Sequence, residues 1–497
     1  MSKVSVLIVG AGPSGLMMAN ELARHGISFR IIDQKPQQTE HSNAVAIQTR
    51  TVEIFRQLGL LDEFLKNGQR IKKLVFFDNG KKFAELPLEH IDSTYPFVLA
   101  VPQSSTERIL NRSLELLHHR VERNRELIDF SQHDDDVEAI LRHQDGYEEK
   151  IYCEWLIGCD GHRSIVRDES GITFPGEDID EQFVVADAKM SSLHKQDEIY
   201  IYSKKGRMLG IFPYGDSRFR IAANMDLGYE RKTYTEKELG ELIDERSNGI
   251  FNPEQVSWIS PFWIHSKIAD KMRDNRAFLV GDAAHIHSPV GGQGMNTGLQ
   301  DAHNLAWKLA LVIQGRAKPS LLDTYEQERR PIVKDVVEVT ERMTKLLLVN
   351  NAFVYLIRKY TMKLMMSIPA LARKVATTIS QIGIHYEKSP IMDYQTTLAS
   401  KYPEVGKRAP NVRLGEAGDL YDYFSDTSHH VLCFAANSET PKMISACEAL
   451  MSGLPGPFKD IVRLHLVTSD PVDEPINQIY DINMDAHHVY DINEPAV

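Results

Sequence analysis

The chain has few cysteines, no long apolar run and no compact run of Lys and Arg. Its 497 residues hold 4 cysteines, Cys153, Cys159, Cys433 and Cys447. None forms a CxxC pair or stands at metal-ligand spacing, which argues against a disulfide scaffold, a dithiol redox motif and a zinc site. A reduced, cytoplasmic protein is the expectation. The greasiest zone, Leu346–Ile357, is broken by Asn350 and Asn351 and followed by Arg358 and Lys359, so no segment is expected to span a bilayer. A net charge of -12 argues against a nucleic-acid partner. The first strand begins almost at once, and no signal peptide is expected. Internal repeats and low-complexity tracts are absent.

The length implies two to three domains. Val4–Val9 reads as a buried parallel strand, and Leu16, Ala19, Leu22 and Ala23 form a helical stripe after it. Gly10, Gly12 and Gly15, with Pro13 and Ser14 between them, therefore sit on a strand-to-helix turn. In that context the glycines permit a tight turn, close approach of a pyrophosphate and close helix packing, and the helix N-terminus favours the anion. A second strand, Ile27–Ile32, ends at Asp33, placed to accept from a ribose hydroxyl and to repel a 2′-phosphate. Far downstream, Ala277–Asn296 reads AFLVGDAAHIHSPVGGQGMN. Its Gly-Asp dipeptide and glycine-rich turn suit a flavin nucleotide better than NAD.

Between these motifs, Thr49–Leu60 and Gln103–Leu117 read as helices and Leu74–Leu86 as a hairpin turning at Asp78–Gly80. Phe174–Trp263 alternates like a separate antiparallel sheet. Residues 330 to about 389 read as helices, amphipathic and basic. They suit burial against the core or a second subunit, and also a membrane surface. From about Pro410 a new α/β pattern starts.

A third motif, Leu156–Arg167 (LIGCDGHRSIVR), lies between the other two. The ordered series resembles the single-component FAD-dependent aromatic hydroxylases, the class A flavoprotein monooxygenases that include para-hydroxybenzoate, phenol and polyketide hydroxylases. The resemblance implies an α/β fold: a Rossmann-like FAD-binding domain built discontinuously from residues 1–173 and 276–330, and an antiparallel substrate-binding sheet at 174–275. A helical segment at 331–400 and a thioredoxin-like domain at 401–497 would follow, the last without CxxC and shortened at its end. It implies FAD and a transiently bound NADH or NADPH, with O2 activated as a flavin C4a-hydroperoxide that hydroxylates a small aromatic or polycyclic phenol-like substrate. A homodimer is compatible with it.

Carried onto this sequence, the resemblance gives FAD contacts at Gly10, Gly12, Pro13, Ser14, Gly15, Asp33, Gln103, Asp160, Asp282, Pro289, Gly292, Gly294, Met295 and Asn296. Asp282 would meet a ribityl hydroxyl, and the helix from Met295 would point its positive end at the reduced flavin. The Pro289 carbonyl is the only candidate for a catalytic contact. Arg163 and Arg167 would meet phosphates or make surface ion pairs. Tyr200, Met208, Phe212 and Tyr214 are candidate substrate contacts, with Tyr202, Trp258 and Phe262 further possibilities, because strand alternation leaves open which of them face the site.

One departure stands out: Asn43 holds the place where the family carries Arg. Arg50 is a candidate substitute. His285, His287 and the pair His429–His430 lack ligand partners, and no metal is expected. Two other readings are a flavin-dependent halogenase, whose Trp-x-Trp-x-Ile-Pro signature is missing here, and a non-catalytic flavin-binding scaffold.

Overall fold

The computed structural model describes residues 3–40, 44–192, 195–204, 206–225, 234–348, 351–392, 403–415, 418–435, 440–469, 471 and 477–492. Asn43 lies outside the described residues. So do 393–400, at the end of the expected helical segment, and 493–497, at the end of the chain.

The strand Lys3–Val9 is central because Val6, Leu7 and Ile8 are fully buried. It pairs in parallel with Phe29–Asp33 on one side and Glu148–Gly158 on the other, and Ala277–Leu279 adds in parallel to Glu148–Gly158. All three motifs therefore end at one edge of this sheet, the carboxyl edge where open α/β sheets bind ligands. Backbone bonds lock that edge: Cys159 N donates to Val9 O at 2.8 Å and Val280 N to Gly158 O at 3.0 Å. The helices Pro13–Arg24 and Gly294–Ile313 pack against each other with Ser14 at the junction. A Cβ on Gly281 or Gly298 would fall 2.5 Å from Ser14 Oγ.

A second sheet of eight strands holds the long antiparallel pair Gly176–Ser192 and Phe251–Ile268, with Arg218–Asn224, Arg207–Gly215 and Glu198–Lys204 beyond it. The hairpin Lys73–Asp78 and Lys81–Pro87 belongs here too, through parallel pairing of Lys73–Asp78 with Glu198–Lys204. Sequence position puts this hairpin in the FAD unit, whereas its hydrogen bonds put it in the substrate sheet. A pairing between strands so distant in the chain leaves no local pattern.

The sheet has two apolar faces. One buries Val75, Tyr200, Leu209, Phe219 and Phe251 against Leu239 and Ile243 of the helix Glu236–Ser247. The other turns Leu74, Phe76, Ile199, Phe212 and Tyr214 toward Val45, Ala46 and Ala100, under the helix Pro369–Ile379. The helices Asp323–Leu347 and Ala352–Ser367 complete this side. No helix among the described residues is long and apolar enough to cross a membrane.

The C-terminal part is a parallel three-stranded sheet, His429–Phe434, Val462–Thr468 and Gln478–Tyr480, covered by the helix Thr440–Gly453. Cys433 and Cys447 meet there in one buried cluster with Met443, Leu464 and Leu466. Burial raises both thiols, so they stay protonated and act as small apolar groups. Changing both to Ser should leave flavin content and turnover nearly intact. It should cost about 1–3 kcal/mol of stability per hydroxyl left without a good partner, read from urea unfolding.

Candidate active site

The front turn is open where a ligand would approach and closed where the chain packs. Gly10 has φ 98°, and a Cβ there would lie 2.3 Å from the Cys159 carbonyl; one on Gly15 would lie 1.9 Å from the Gly10 carbonyl. A Cβ on Gly12 would meet nothing within 4 Å. Gly12 is the N-cap and makes no side-chain cap bond, and Pro13 opens the helix. Leu16 N makes the first intrahelical bond, to Gly12 O, so the N–H groups of Ser14 and Gly15 precede it in the first turn. Asp33 accepts from Ala11 N and Lys35 N, both at 2.8 Å, and its Oδ2 also lies 3.5 Å from Arg123 Nη1, which fixes the carboxylate at the strand end. Gln103 N donates to Ala44 O at 2.9 Å, while its side chain donates to Glu107 at 2.9 Å. Burial raises the Glu107 carboxyl, and this bond opposes the rise.

Asp160 accepts from Ile165 N at 2.8 Å and Val166 N at 3.3 Å, while its other oxygen is buried without a partner. Burial is the largest influence on its pKa and raises it. Arg167 does not reach toward phosphates. It is buried, donates to the carbonyls of His162 at 3.1 Å and Ala283 at 3.3 Å, and stacks over Phe174. It ties the second motif to the third. Arg163 is exposed.

Asp282 opens to solvent, yet enough protein surrounds it that desolvation raises its pKa against the pull of His285 and His162. The turn that carries it is held from beneath by a network that sequence reasoning missed. Asp301, with no exposed surface, accepts from Arg329 Nε at 2.7 Å and Gly281 N at 3.3 Å, and its Oδ2 lies 2.7 Å from His285 Nε2. Burial works to raise the Asp301 carboxyl, but Arg329 and His285 outweigh it and hold the pKa low. An acid and an arginine at core-facing helix positions were the available signal.

The glycine turn needs left-handed backbone, with φ 88° at Gly291 and 63° at Gly292. Pro289 is exposed at its start, and its carbonyl already accepts from Gly292 N at 3.0 Å. Gly294 starts the long helix, and Thr297 N makes its first bond, to Gln293 O, so the N–H groups of Gly294, Met295 and Asn296 precede that bond. The Asn296 side chain is spent on protein. It accepts from Gln48 N and donates to the Ala46 and Gly292 carbonyls, each at 2.8 Å. Only its backbone is left for a ligand. Buried oxygens of Gln48 and Gln293 stand without partners beside the turn.

Of the substrate candidates, Phe212 and Tyr214 pack against the cluster that holds Ala46, and a Cβ on Gly292 of this turn would fall 2.9 Å from the Ala46 Cβ. Met208 packs with Phe183 and Ile264, and Phe262 joins that cluster. Tyr200 and Tyr202 point the other way, into the core with Phe251, and the Tyr200 hydroxyl is bonded to Lys195 O and Glu198. They are excluded from the cleft because alternation gives two equally apolar faces, and the helix Glu236–Ser247 takes theirs. Trp258 does reach the site side, where it donates to Asp187 at 2.9 Å. Asp187 also binds Arg220 through both oxygens, and Arg220 donates to the Ala44 carbonyl at 3.3 Å. Neither Asp187 nor Arg220 was visible as a site residue in the sequence. Among the described residues no cluster suits a metal ion.

Two helix N-termini, an open glycine cap and unpartnered buried acceptors fit a long dinucleotide with a flavin at one end. The fold and site together define a flavoprotein of the dinucleotide-binding class. Residues 3–340 match the FAD binding domain family. The chain is 30% identical over 480 residues to the uncharacterized aromatic compound monooxygenase YhjG of Bacillus subtilis, spanning 95% of this chain and 93% of that one. It is 34% identical over 402 residues to 6-methylpretetramide 4-monooxygenase of Streptomyces rimosus, spanning 78% and 70%. Among solved structures, the OxyS anhydrotetracycline hydroxylase of Streptomyces rimosus matches with a TM-score of 0.73 at 30% identity, over 95% of this chain and 91% of that one. The chain belongs to this family of FAD-dependent aromatic hydroxylases.

His287 gives a pH prediction. Burial lowers its pKa to about 4, opposed by its bond to the Ser288 carbonyl. The unfolded chain, with an ordinary His pKa near 6.5, takes up the proton first. The associated stability is full above that value and is lost as pH falls toward 4. The melting temperature should drop over this window, and His287→Gln should flatten the drop.

Proposed function

We propose that the protein consumes NADH or NADPH and O2 to hydroxylate an aromatic or polycyclic phenol-like substrate held between the second sheet and the Pro289–Gly294 turn. The supporting observation is that three motifs converge on one sheet edge beneath the apolar face bearing Phe212 and Tyr214. The similarity to aromatic hydroxylases favours this chemistry over halogenation or a scaffold role. Bound FAD would supply electron transfer from the nicotinamide and activation of O2. In balance, ArH, O2, NAD(P)H and H⁺ become ArOH, NAD(P)⁺ and water.

The chain's own work is binding, orientation and exclusion of water. Asp33 would accept from the adenosine ribose, and the Ser14 and Gly15 N–H groups would meet the pyrophosphate. Asp282 would accept from the ribityl chain. The N–H groups of Gly294, Met295 and Asn296 would stabilise negative charge on the reduced ring. The free lone pair of Pro289 would orient a substrate hydroxyl. Asp187, by gripping Arg220, would hold the Ala44 backbone beside the site. Buried free thiols suit a reducing, cytoplasmic compartment.

A panel of phenols should stimulate NAD(P)H oxidation, and ¹⁸O₂ should place a single labelled oxygen in the product. Oxidation without any labelled product would refute the hydroxylase reading. Asp282→Ala should lose most of its FAD, since a bond to a charged acceptor is worth about 1.5–3 kcal/mol. Asp33→Ala should weaken FAD binding and leave the NADH-to-NADPH preference unchanged.

A further inference from the structure

The helix Ala352–Ser367 has an outer face that the fold does not use. Phe353, Leu356, Ile357, Tyr360 and Leu364 recur at helical spacing and are 71%, 48%, 47%, 64% and 60% exposed. Apolar exposure just past Ser367 continues at Ile368 and Leu371.

The helix's rotation is fixed by polar anchors on the opposite side. Buried Arg358 donates to the Leu346 and Leu347 carbonyls and to Ser203 Oγ, and Lys359 donates to Asp78. Met362 and Met366 pack inward beside Ala372 and Ala376. Turning the helix to hide Phe353 and Leu364 would pull Arg358 from its acceptors. The apolar face is therefore held outward by the fold itself.

The charge carried by this segment is of one sign. From Arg342 to Tyr386 the chain has no Asp or Glu, although its net charge is -12. Lys363, Arg373 and Lys374 are exposed and form no ion pair with another described residue. A two-fold contact with a second copy through this patch would bring two surfaces of the same positive sign together. Exposed apolar side chains flanked by lysine and arginine instead match the interface of a bilayer rich in anionic lipid, where the rings and aliphatic chains enter the headgroup layer and the cations meet phosphates.

We infer that the outward face of the Ala352–Ser367 helix, with Lys363, Arg373 and Lys374, docks the enzyme peripherally on an anionic phospholipid surface. The FAD-loaded full chain should co-sediment with phosphatidylcholine vesicles containing about one-third phosphatidylglycerol, release at high salt, and ignore pure phosphatidylcholine. Phe353→Glu with Leu364→Glu should cut the bound fraction at least about tenfold while flavin content and solution turnover persist. Lys363→Glu with Lys374→Glu, which leaves the apolar stripe alone, should also weaken binding, and it serves as the test if the first variant misfolds. Three results would overturn the inference: no sedimentation, equal sedimentation with pure phosphatidylcholine, or a dimer by analytical ultracentrifugation that Phe353→Glu with Leu364→Glu converts to monomer without any lipid binding. The hydroxylase reading is scored separately, by labelled product formed without vesicles.

Discussion

A single buried carboxylate sits where the parts of this molecule meet. Asp301 lies on the helix that begins at the glycine turn, Arg329 reaches it from the next helix, and His285 meets it from the Gly-Asp turn. An ion with no exposed surface is tolerable only when charge and hydrogen bonds surround it. Removing Arg329 would leave that charge uncompensated, a change typically costing about 3–5 kcal/mol. The chain therefore keeps two helices and one turn in register or loses the pocket. Asp282 owes its position to this arrangement, because the Asp301 carboxylate also takes the N–H of Gly281. Lys308, buried against Glu328 about two turns further along, extends the same tie between the helices.

The phosphate-binding parts were legible because their physics is local. A glycine that needs φ 98°, or one whose Cβ would fall 1.9 Å from a carbonyl, can be inferred from a strand, a turn and a helix in succession. The same holds for the Gly291–Gly292 turn. The order of the motifs also brought Ala277–Leu279 back to the first sheet, as the pairing with Glu148–Gly158 shows.

What stayed illegible depends on contacts between distant segments. Tyr200 and Phe212 look equivalent in sequence, and only the helix Glu236–Ser247 decides which face is core. Arg167 reads equally as a phosphate ligand or an ion-pair partner until Asp168 and the Ala283 carbonyl are placed beside it. Asp187 and Arg220 are ordinary strand residues until their strands pair, with Asp187 opposite Arg220. A sequence pattern records periodicity and turns, but it does not record which strand will become a neighbour.

The discontinuity of the first sheet bears on how the chain is made. The edge of the strand Glu148–Gly158 away from Lys3–Val9 is covered over Glu148–Cys153 by Val137–His143, but its last residues, Leu156–Gly158, are completed only by Ala277–Leu279. On the ribosome that edge is finished only after every strand of the second sheet but the short His285–Ile286 has emerged. The second sheet in turn borrows Lys73–Asp78, a segment synthesised long before its partner Glu198–Lys204. Each sheet thus waits for the other, and neither can be sealed by contacts near in sequence. Such interlocking makes for slow, late closure and for an exposed strand edge during synthesis. For this enzyme the vulnerable moment is nascent, before the chain that makes up the flavin pocket has been fully translated.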